Sequence, residues 1–392
     1  MLPGIGIYGT GVVVKVVVPL LREKGFKIEA LWGLTTESAK TTAKELNIPF
    51  HTNKIDDVLL RKDVDLIFVV CSPNLHSQVS VKALGIGKHV ICDVPGGLCQ
   101  NDVLKMVKAS QYYPSLISIV NRSLRFLRAY SHMRELILDG FVGKQSELTV
   151  CDVRVQMGSL LQDKYDWMCD DKMGGGILTL VGSHVIDLIS YLIGQKAVKV
   201  HSIVRTFTKT TSSINGHRHI TSPDFCVFQM EMEHGALVSV TLNNYMSALC
   251  NQEVLVCGKQ GHLTVRGGVL YACKNNSSKE EIVHLDADDM KQKCDLLNPN
   301  ASSVLSKPST VGLFTMIGAL KEAFLPVEDK RGWIKEPVEL AASFEDELYV
   351  QAVIDALHKS NENRAWVNVS ILREESDPNV VLSAAVRCSG LS

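Results

Sequence analysis

The segment GIGIYGTGVVVKVVVPLLREKG, from Gly4 to Gly25, leaves this chain few folds to choose from. Gly4 to Tyr8 reads as a short apolar strand, GTG turns it, and an apolar run follows that reads as helix. A strand that passes through GxG into a helix aims backbone amides and a helix start at one point, which suits a pyrophosphate. Gly9, Thr10, Gly11 and Val12 are therefore the first candidate cofactor residues. GxG alone is a weak signal, and its place directly after the first strand strengthens it. Val14 stands where a small third residue is usual, so helix and strand are expected to pack slightly farther apart. So many valines disfavour an isolated helix, and the surrounding fold must supply its order. The stretch 1–21 has no basic n-region and merges into this pattern, so it reads as structure rather than as a signal peptide.

The same theme repeats downstream. Lys27 to Trp32 reads as strand, 36–46 as helix, 64–70 as a buried strand ending in CSPNLH, 77–84 as helix and His89 to Cys92 as strand. This alternation, running to about Val120, predicts a parallel sheet covered on both faces. After Asn121 the rhythm changes. A helix over 130–139 and a long strand over 146–158 lead through a loop at 161–173 to a helix at 186–192. Strand-like segments follow at 198–207, 225–231, 236–243, 252–257 and 262–266, the last two flanking the hairpin-like GKQG. The polar stretch 277–308 reads as an excursion, 311–324 and 343–358 as helices, and 365–371 as a strand returning to the second sheet. The expected division is a nucleotide-binding domain over 1–122, an α/β domain with a large, predominantly antiparallel open sheet over 123–372, and a tail over 373–392.

Composition narrows the partners. With 41 Lys and Arg against 42 Asp and Glu the net charge is -1, so there is no broad basic field and nucleic acid is not expected. No apolar stretch is both long and isolated enough to read as a membrane span. The 11 cysteines form no CxxC pair, which argues against a metal site and a disulfide framework. Cys71, Cys92 and Cys226 lie in apolar runs and read as buried thiols, which favours a reducing compartment and hence the cytoplasm. Sequons at Asn121, Asn275, Asn276, Asn300 and Asn368 would need a secretory route to mean anything.

Cofactor choice is read at the end of the second strand. The stretch LWGLTTESAK, residues 31–40, is read as offering no acid to the adenosine ribose. An acid there would accept from the adenosine ribose hydroxyls and repel a phosphate, so its absence, with Thr35, Thr36 and Lys40 nearby, leans to NADP over NAD. A threonine-rich helix cap explains the same residues without a ligand.

Three further segments carry a family resemblance: CSPNLHSQVSVKALGIGKHVICDVP from Cys71, NRSLRF from Asn121, and GGGILTLVGSHVIDLISYLIG from Gly174. The chain resembles the glucose-fructose oxidoreductase, inositol dehydrogenase and MocA family. Through LPGIGIYGTG, EALWG, KALGIGKHVICD and KYDWMCDDKMGGG it most resembles the animal glucose-fructose oxidoreductase domain-containing proteins. The resemblance implies an N-terminal Rossmann domain, a C-terminal α/β domain with an open sheet, and a homodimer or tetramer formed through that sheet. It implies NAD(P)-dependent oxidation of a sugar-like or polyol hydroxyl, or reduction of the ketone. Ser72, Pro73, Asn74 and His76 would line the cofactor loop, with Asp93, Val94 and Pro95 beyond it and Arg125 near the cofactor.

The departures from the family pattern bear on catalysis. Asp93, Val94 and Pro95 stand where the family usually has Glu-Lys-Pro, whose lysine contacts the nicotinamide ribose and the reacting hydroxyl. Leu180 stands where an aspartate precedes the histidine, here His184, by four residues, and Met168 stands where an arginine follows the tryptophan, here Trp167. His184 is the surviving acid/base candidate, since a neutral imidazole accepts a proton near physiological pH; a packing role is the alternative. Asp187 reads as a helix-start carboxylate, Tyr165 and Lys172 as a solvated loop face, and Gly174 to Gly176 as a bend. The expected function is an oxidoreductase with a degenerate active site. The alternative is a cofactor-binding pseudoenzyme acting through protein partners; the animal proteins it resembles are associated with secretion and extracellular matrix assembly.

Overall fold

The first strand, β1 (Gly4–Tyr8), lies inside a six-stranded sheet in the computed structural model, which describes residues 2–162, 164–246, 251–277, 279–285, 307–325 and 334–373. Its partners are β2 (Lys27–Trp32), β3 (Phe50–Thr52), β4 (Leu66–Val69), β5 (His89–Cys92) and β6 (Ser118–Val120). They run in the order β3-β2-β1-β4-β5-β6, every pair parallel. The helices between them are α1 (Val14–Glu23), α2 (Thr36–Glu45), α3 (Ile55–Leu59), α4 (His76–Gly85) and α5 (Gln100–Tyr112). Strand order reverses between β1 and β4, and a doubly wound sheet binds its ligands at the carboxyl ends of the strands at such a point. The sequence pattern located β1, β2 and β5 to the residue, and missed the short β3 and α3.

The second half follows as α6 (Arg128–Leu138), β7 (Leu148–Gln156), a π-helical turn at Leu178–Gly182, α7 (Ser183–Ile193), β8 (Ala197–Arg205), β9 (Phe225–Met232) and β10 (Leu237–Asn243). After β11 (Asn251–Gly258), β12 (Gly261–Arg266), β13 (Val269–Lys274) and β14 (Glu281–Leu285) come α8 (Lys307–Phe324), α9 (Phe344–Asn363) and β15 (Val367–Asn368). Nine strands form one sheet, β14-β13-β12-β11-β7-β10-β9-β8-β15, antiparallel except where β10 lies parallel to β7. β13 and β14 were not read from the sequence. β14 falls in the polar stretch expected to be an excursion, most of which lies outside the described residues, as does the tail from 374 onward.

Strand alternation sorts this sheet into two faces. Val153, Val155, Phe228, Met230, Val238 and Val240 point inward against Ile186 and Ile189 of α7 and Val350 and Val353 of α9. Each such fully buried aliphatic or aromatic side chain stabilises the fold by about 1.5–3 kcal/mol. On the other face Val150, Ile203 and Leu237 are exposed, so the sheet is open on that side.

The run of valines in α1 has a packing cause. Val14, Val16, Val17, Val18, Leu20 and Leu21 are all buried, because α8 folds back from the far end of the chain and lays Leu313, Met316, Ile317 and Leu320 into the same core. With the sheet on one side and α8 on another, α1 has no broad polar face to keep. Lys24, just past its end, sits 3.7 Å above the ring of Phe314 on α8.

Candidate functional site

The two glycines of GTG have different jobs. Gly9 has φ +144°, and a Cβ there would lie 2.5 Å from the Val70 carbonyl oxygen, so it lets β1 and the end of β4 approach. Gly11 is exposed, and a Cβ there would meet nothing within 4 Å. The helix it leads into, α1, starts without a side-chain cap; the amides of Val14, Lys15 and Val16 donate to the carbonyls of Gly11, Val12 and Val13 at 3.0–3.1 Å, so an anion would be met by the amides of the turn itself, at Gly11 and Val12. Thr10 is half-buried with its methyl facing Gly33, and Val12 is half-buried at the helix start. After β2, Thr35 forms a capping box with Ser38, accepting from its amide at 3.1 Å. Thr36 and Lys40 are exposed, and Glu37 supplies an exposed carboxylate in the first turn of α2, which corrects the reading of LWGLTTESAK as free of acids.

Three loops at the carboxyl ends of β4, β5 and β6 converge on the same crevice. Pro73 is buried, Ser72 half-buried and Asn74 exposed. His76 is buried, with Nδ1 2.7 Å from the Pro95 carbonyl oxygen and Nε2 2.8 Å from that of Cys71. It ties the loop after β4 to the loop after β5 rather than presenting a free nitrogen. Asp93 accepts from Asn121 Nδ2 at 3.0 Å; burial raises its carboxyl above the usual range, opposed by His76 and by the Asn121 bond. The Val94–Pro95 peptide is cis, and the Val94 side chain packs half-buried on the apolar core under β4 and β5. Cys92 is fully buried as expected, whereas Cys71 is only half-buried.

Behind Val94 lies an ionic network that the sequence reading did not anticipate. Arg122 is buried, donates to Ser183 Oγ at 2.8 Å and pairs with the buried carboxylate of Glu347 on α9. The other oxygen of Glu347 accepts from the Gly96 amide at 2.7 Å, one residue past Pro95. Arg125 holds Asp187 with two bonds, Nε to Oδ2 at 2.9 Å and Nη2 to Oδ1 at 2.6 Å, and Asp346 lies 3.2 Å away. Arg125 is thus committed to carboxylates of α7 and α9. In NRSLRF nothing in the pattern distinguishes the two arginines; Glu347 reads as one of the acidic residues opening α9.

His184 follows Ser183 into α7, with Leu180 half-buried in the π-helical turn before it. Its Nδ1 is buried without a hydrogen-bond partner, and burial together with the Arg122 charge pushes the imidazole down to about 3. His184 is therefore neutral at physiological pH and a weak proton acceptor there. Burial likewise pushes His89 down to about 4. Both folded values lie below the unfolded one, so the unfolded chain binds more protons and stability is lost as pH falls from about 6.5 towards 4. Near pH 5 each histidine is expected to add about 1.4 kcal/mol per pH unit to that slope. Replacing His184 by Gln should remove one such increment from urea-unfolding free energies measured against pH; an unchanged slope would contradict the assignment.

The second domain closes over this crevice through Gly174 to Gly176. A Cβ at Gly174 (φ +86°) would lie 3.3 Å from Pro95 and 3.4 Å from Pro73, and one at Gly176 (φ +96°) would strike Pro223. The three glycines bring the loop before α7 onto the loops after β4 and β5. On the outer side of the same loop Tyr165, Asp166, Trp167, Asp170, Arg218 and His219 line a cleft of about 560 Å³. Arg218 stacks over the Tyr165 ring at 5.5 Å, and Lys172 is exposed.

Sequence and fold comparisons agree with this architecture. Residues 4–117 match the oxidoreductase family with an NAD-binding Rossmann fold, and residues 130–264 match the GFO/IDH/MocA C-terminal domain. The chain is 45% identical over 394 residues to glucose-fructose oxidoreductase domain-containing protein 1 of Xenopus tropicalis, covering 100% of this chain and 99% of that protein. It is 44% identical over 391 residues to domain-containing protein 2 of Homo sapiens, covering all of both. Among solved structures, levoglucosan dehydrogenase in complex with NADH and levoglucosan superposes with a TM-score of 0.74 at 16% identity, over 94% of this chain and 100% of that one. An oxidoreductase domain protein from Kribbella flavida gives 0.75 at 20% identity, over 94% and 99%.

Proposed function

The chain belongs to the GFO/IDH/MocA oxidoreductase family, and from that premise we propose that it is an NAD(P)-dependent oxidoreductase of a sugar-like or polyol alcohol or ketone, with a degenerate active site. One observation carries the cofactor half of this reading: Gly11 opens onto free space in front of an uncapped α1. The amides there would hold a pyrophosphate, Ser72 and Asn74 would border the cofactor, and Val94 and His184 would lie on the reacting side. A bound nicotinamide would exchange hydride with the carbinol carbon of the substrate. NADP is the cofactor we favour, because no carboxylate stands at Gly33 to Thr36; NAD is second, with Glu37 as its ribose partner. The setting we favour is the cytoplasm, because Cys92, Cys151, Cys169 and Cys226 are thiols buried in the apolar core.

A second reading has a specific observation behind it. His184 is pushed down to about 3, and Val94 and Leu180 bring no charge to the place where alkoxide develops. A protein that keeps the nucleotide and acts through partners, in the cytoplasm or, as the alternative, in the extracellular matrix, fits that chemistry. The experiment that tests the nucleotide site common to both readings starts with protein purified without added nucleotide; hydride transfer to a sugar or polyol, followed at 340 nm, then separates them. Mass spectrometry of released small molecules, then fluorescence titration with NADPH and NADH, should find one dinucleotide bound. Binding of neither would overturn both readings.

Val94→Lys tests the degeneracy directly. A lysine here would restore the charge that stabilises alkoxide, and the rate of polyol oxidation followed at 340 nm is expected to rise at least about tenfold with cofactor affinity unchanged. No gain at unchanged affinity would place the main defect elsewhere in the pocket.

A further inference from the structure

The cleft of about 560 Å³ outside the glycine loop is lined by polar groups that the fold does not use up. Asp166 and Asp170 each cap a turn of the loop after β7, and both do so through Oδ1 alone. Asp166 accepts from the Met168 amide at 3.0 Å, and Asp170 from the Lys172 amide at 3.0 Å and the Thr221 hydroxyl at 3.4 Å. The Oδ2 of each makes no hydrogen bond among the described residues and is not sealed from solvent, and the same holds for the Tyr165 hydroxyl and the Trp167 indole N–H. Facing them, Arg218 lies over the Tyr165 ring at 5.5 Å with no carboxylate in ion-pair reach among the described residues, and His219 stands beside it. The two walls are tied together beneath: Cys169, Ile214 and Ile220 form a small buried apolar cluster with Tyr165 packed against it, joining the loop after β7 to the segment 206–224. At its inner end the cleft is bordered by Met173, whose neighbour Gly174 rests on Pro73 and Pro95 of the cofactor loops.

The donor and acceptor inventory selects the ligand. Ionised carboxylates only accept hydrogen bonds, and a guanidinium or an indole N–H only donates them. A phosphate, which only accepts, would serve Arg218 and be repelled by two aspartates; an ammonium, which only donates, would serve the aspartates and meet Arg218. A hydroxyl does both, and a sugar ring carries several of them around a C–H face that an aromatic ring can cover, as Tyr165 and Trp167 offer. We propose that this cleft binds a neutral sugar ring, the unit of an oligosaccharide or glycoside next to the one in the crevice, with Asp166 and Asp170 accepting from its hydroxyls and Arg218 donating to them. The volume agrees, since cavities of about 300–1,000 Å³ hold ligands larger than one ring. Binding of the sugar in the cleft stands on its own groups; that the adjoining unit is the one that reacts rests on the oxidoreductase reading.

The test uses the full chain, without nucleotide, on an array of immobilised neutral, sialylated and phosphorylated oligosaccharides, with calorimetric titration of the best-bound neutral one. Neutral glycans are expected to be retained ahead of both anionic kinds. Asp166→Asn with Asp170→Asn keeps every Oδ1 acceptor, and so the two turns, but removes the charge; it should weaken neutral binding at least about tenfold, as loss of hydrogen bonds to charged acceptors does. Arg218→Glu, at an exposed position, should weaken it as well. Gly11→Asp, aimed at the nucleotide alone, should leave it unchanged, so a failure of the cleft is read separately from a failure of the dinucleotide site. Retention of no glycan, preference for an anionic one, or neutral binding that survives the double replacement would overturn the assignment. If melting curves show that the double variant does not fold, Arg218→Glu decides: undiminished binding there places the sugar elsewhere.

Discussion

Glu347→Ala is expected to destabilise the folded chain by about 3–5 kcal/mol, the loss typical of stripping one partner from a buried ion pair. The change removes two things at once. Arg122 is left as a buried guanidinium with only the Ser183 hydroxyl to answer it, and the Gly96 amide loses its acceptor. Urea unfolding followed by circular dichroism would read the loss; a change below about 1 kcal/mol would mean that solvent reaches the pair and screens it. The double replacement Arg122→Met with Glu347→Leu should be far milder, because an apolar pair of similar volume needs no desolvation of charge. That variant carries a second readout. The Arg122 charge is the lesser of the two causes holding His184 down, burial the greater, so removing it should raise the imidazole only part of the way back towards its ordinary value. An NMR titration of the ring would show this. On the proposed function the network would matter for catalysis as well as for stability, since it joins α9, the loop past Pro95 and the start of α7, the elements that would frame the reacting side of the crevice.

How much of this was legible beforehand depended on whether the cause was local. β1, the GTG turn and α1 follow from residues adjacent in sequence, and the pattern placed them correctly. The reason α1 tolerates its valines was not legible, because it lies in α8, which returns from the other end of the chain across a division drawn at residue 122. The same limit applied at the site. Thr35 could be a ribose contact or a helix cap, and only the placement of Ser38 shows the cap. His76 looked like a cofactor-loop residue, yet both its nitrogens face backbone carbonyls of two loops. His184 was read as a base of ordinary strength; burial and a neighbouring arginine, neither visible in the sequence pattern around it, weaken it. Apart from the Thr35 cap, which is local, these cases were decided by burial and by groups on other loops and helices, whereas hydrophobic periodicity reports only what a residue's own strand or helix needs.

Gly11→Asp is expected to cut dinucleotide affinity by at least about 100-fold, roughly 2.7 kcal/mol, while leaving the melting temperature of the nucleotide-free protein nearly unchanged. The separation of the two effects is the point. A Cβ at Gly11 meets nothing within 4 Å, so the fold has room for a side chain. The added carboxylate would instead stand at the positive end of α1, repelling a pyrophosphate and competing for the turn amides that would hold it. Gly11→Ala, which adds bulk without charge, should fall between the two, and the loss in Gly11→Asp should shrink as salt is raised. Gly9→Ala is the contrasting case: its methyl would lie 2.5 Å from the Val70 carbonyl oxygen at φ +144°, so it should lower stability whether or not nucleotide is present. Isothermal titration with NADPH and NADH, beside melting curves of the same preparations, measures both quantities. Full affinity in Gly11→Asp would move the pyrophosphate away from the GTG turn, and with it the placement of Val94 and His184 beside the nicotinamide. A large drop in melting temperature would make Gly11 a structural glycine like Gly9, and the open space before α1 would then say nothing about a ligand.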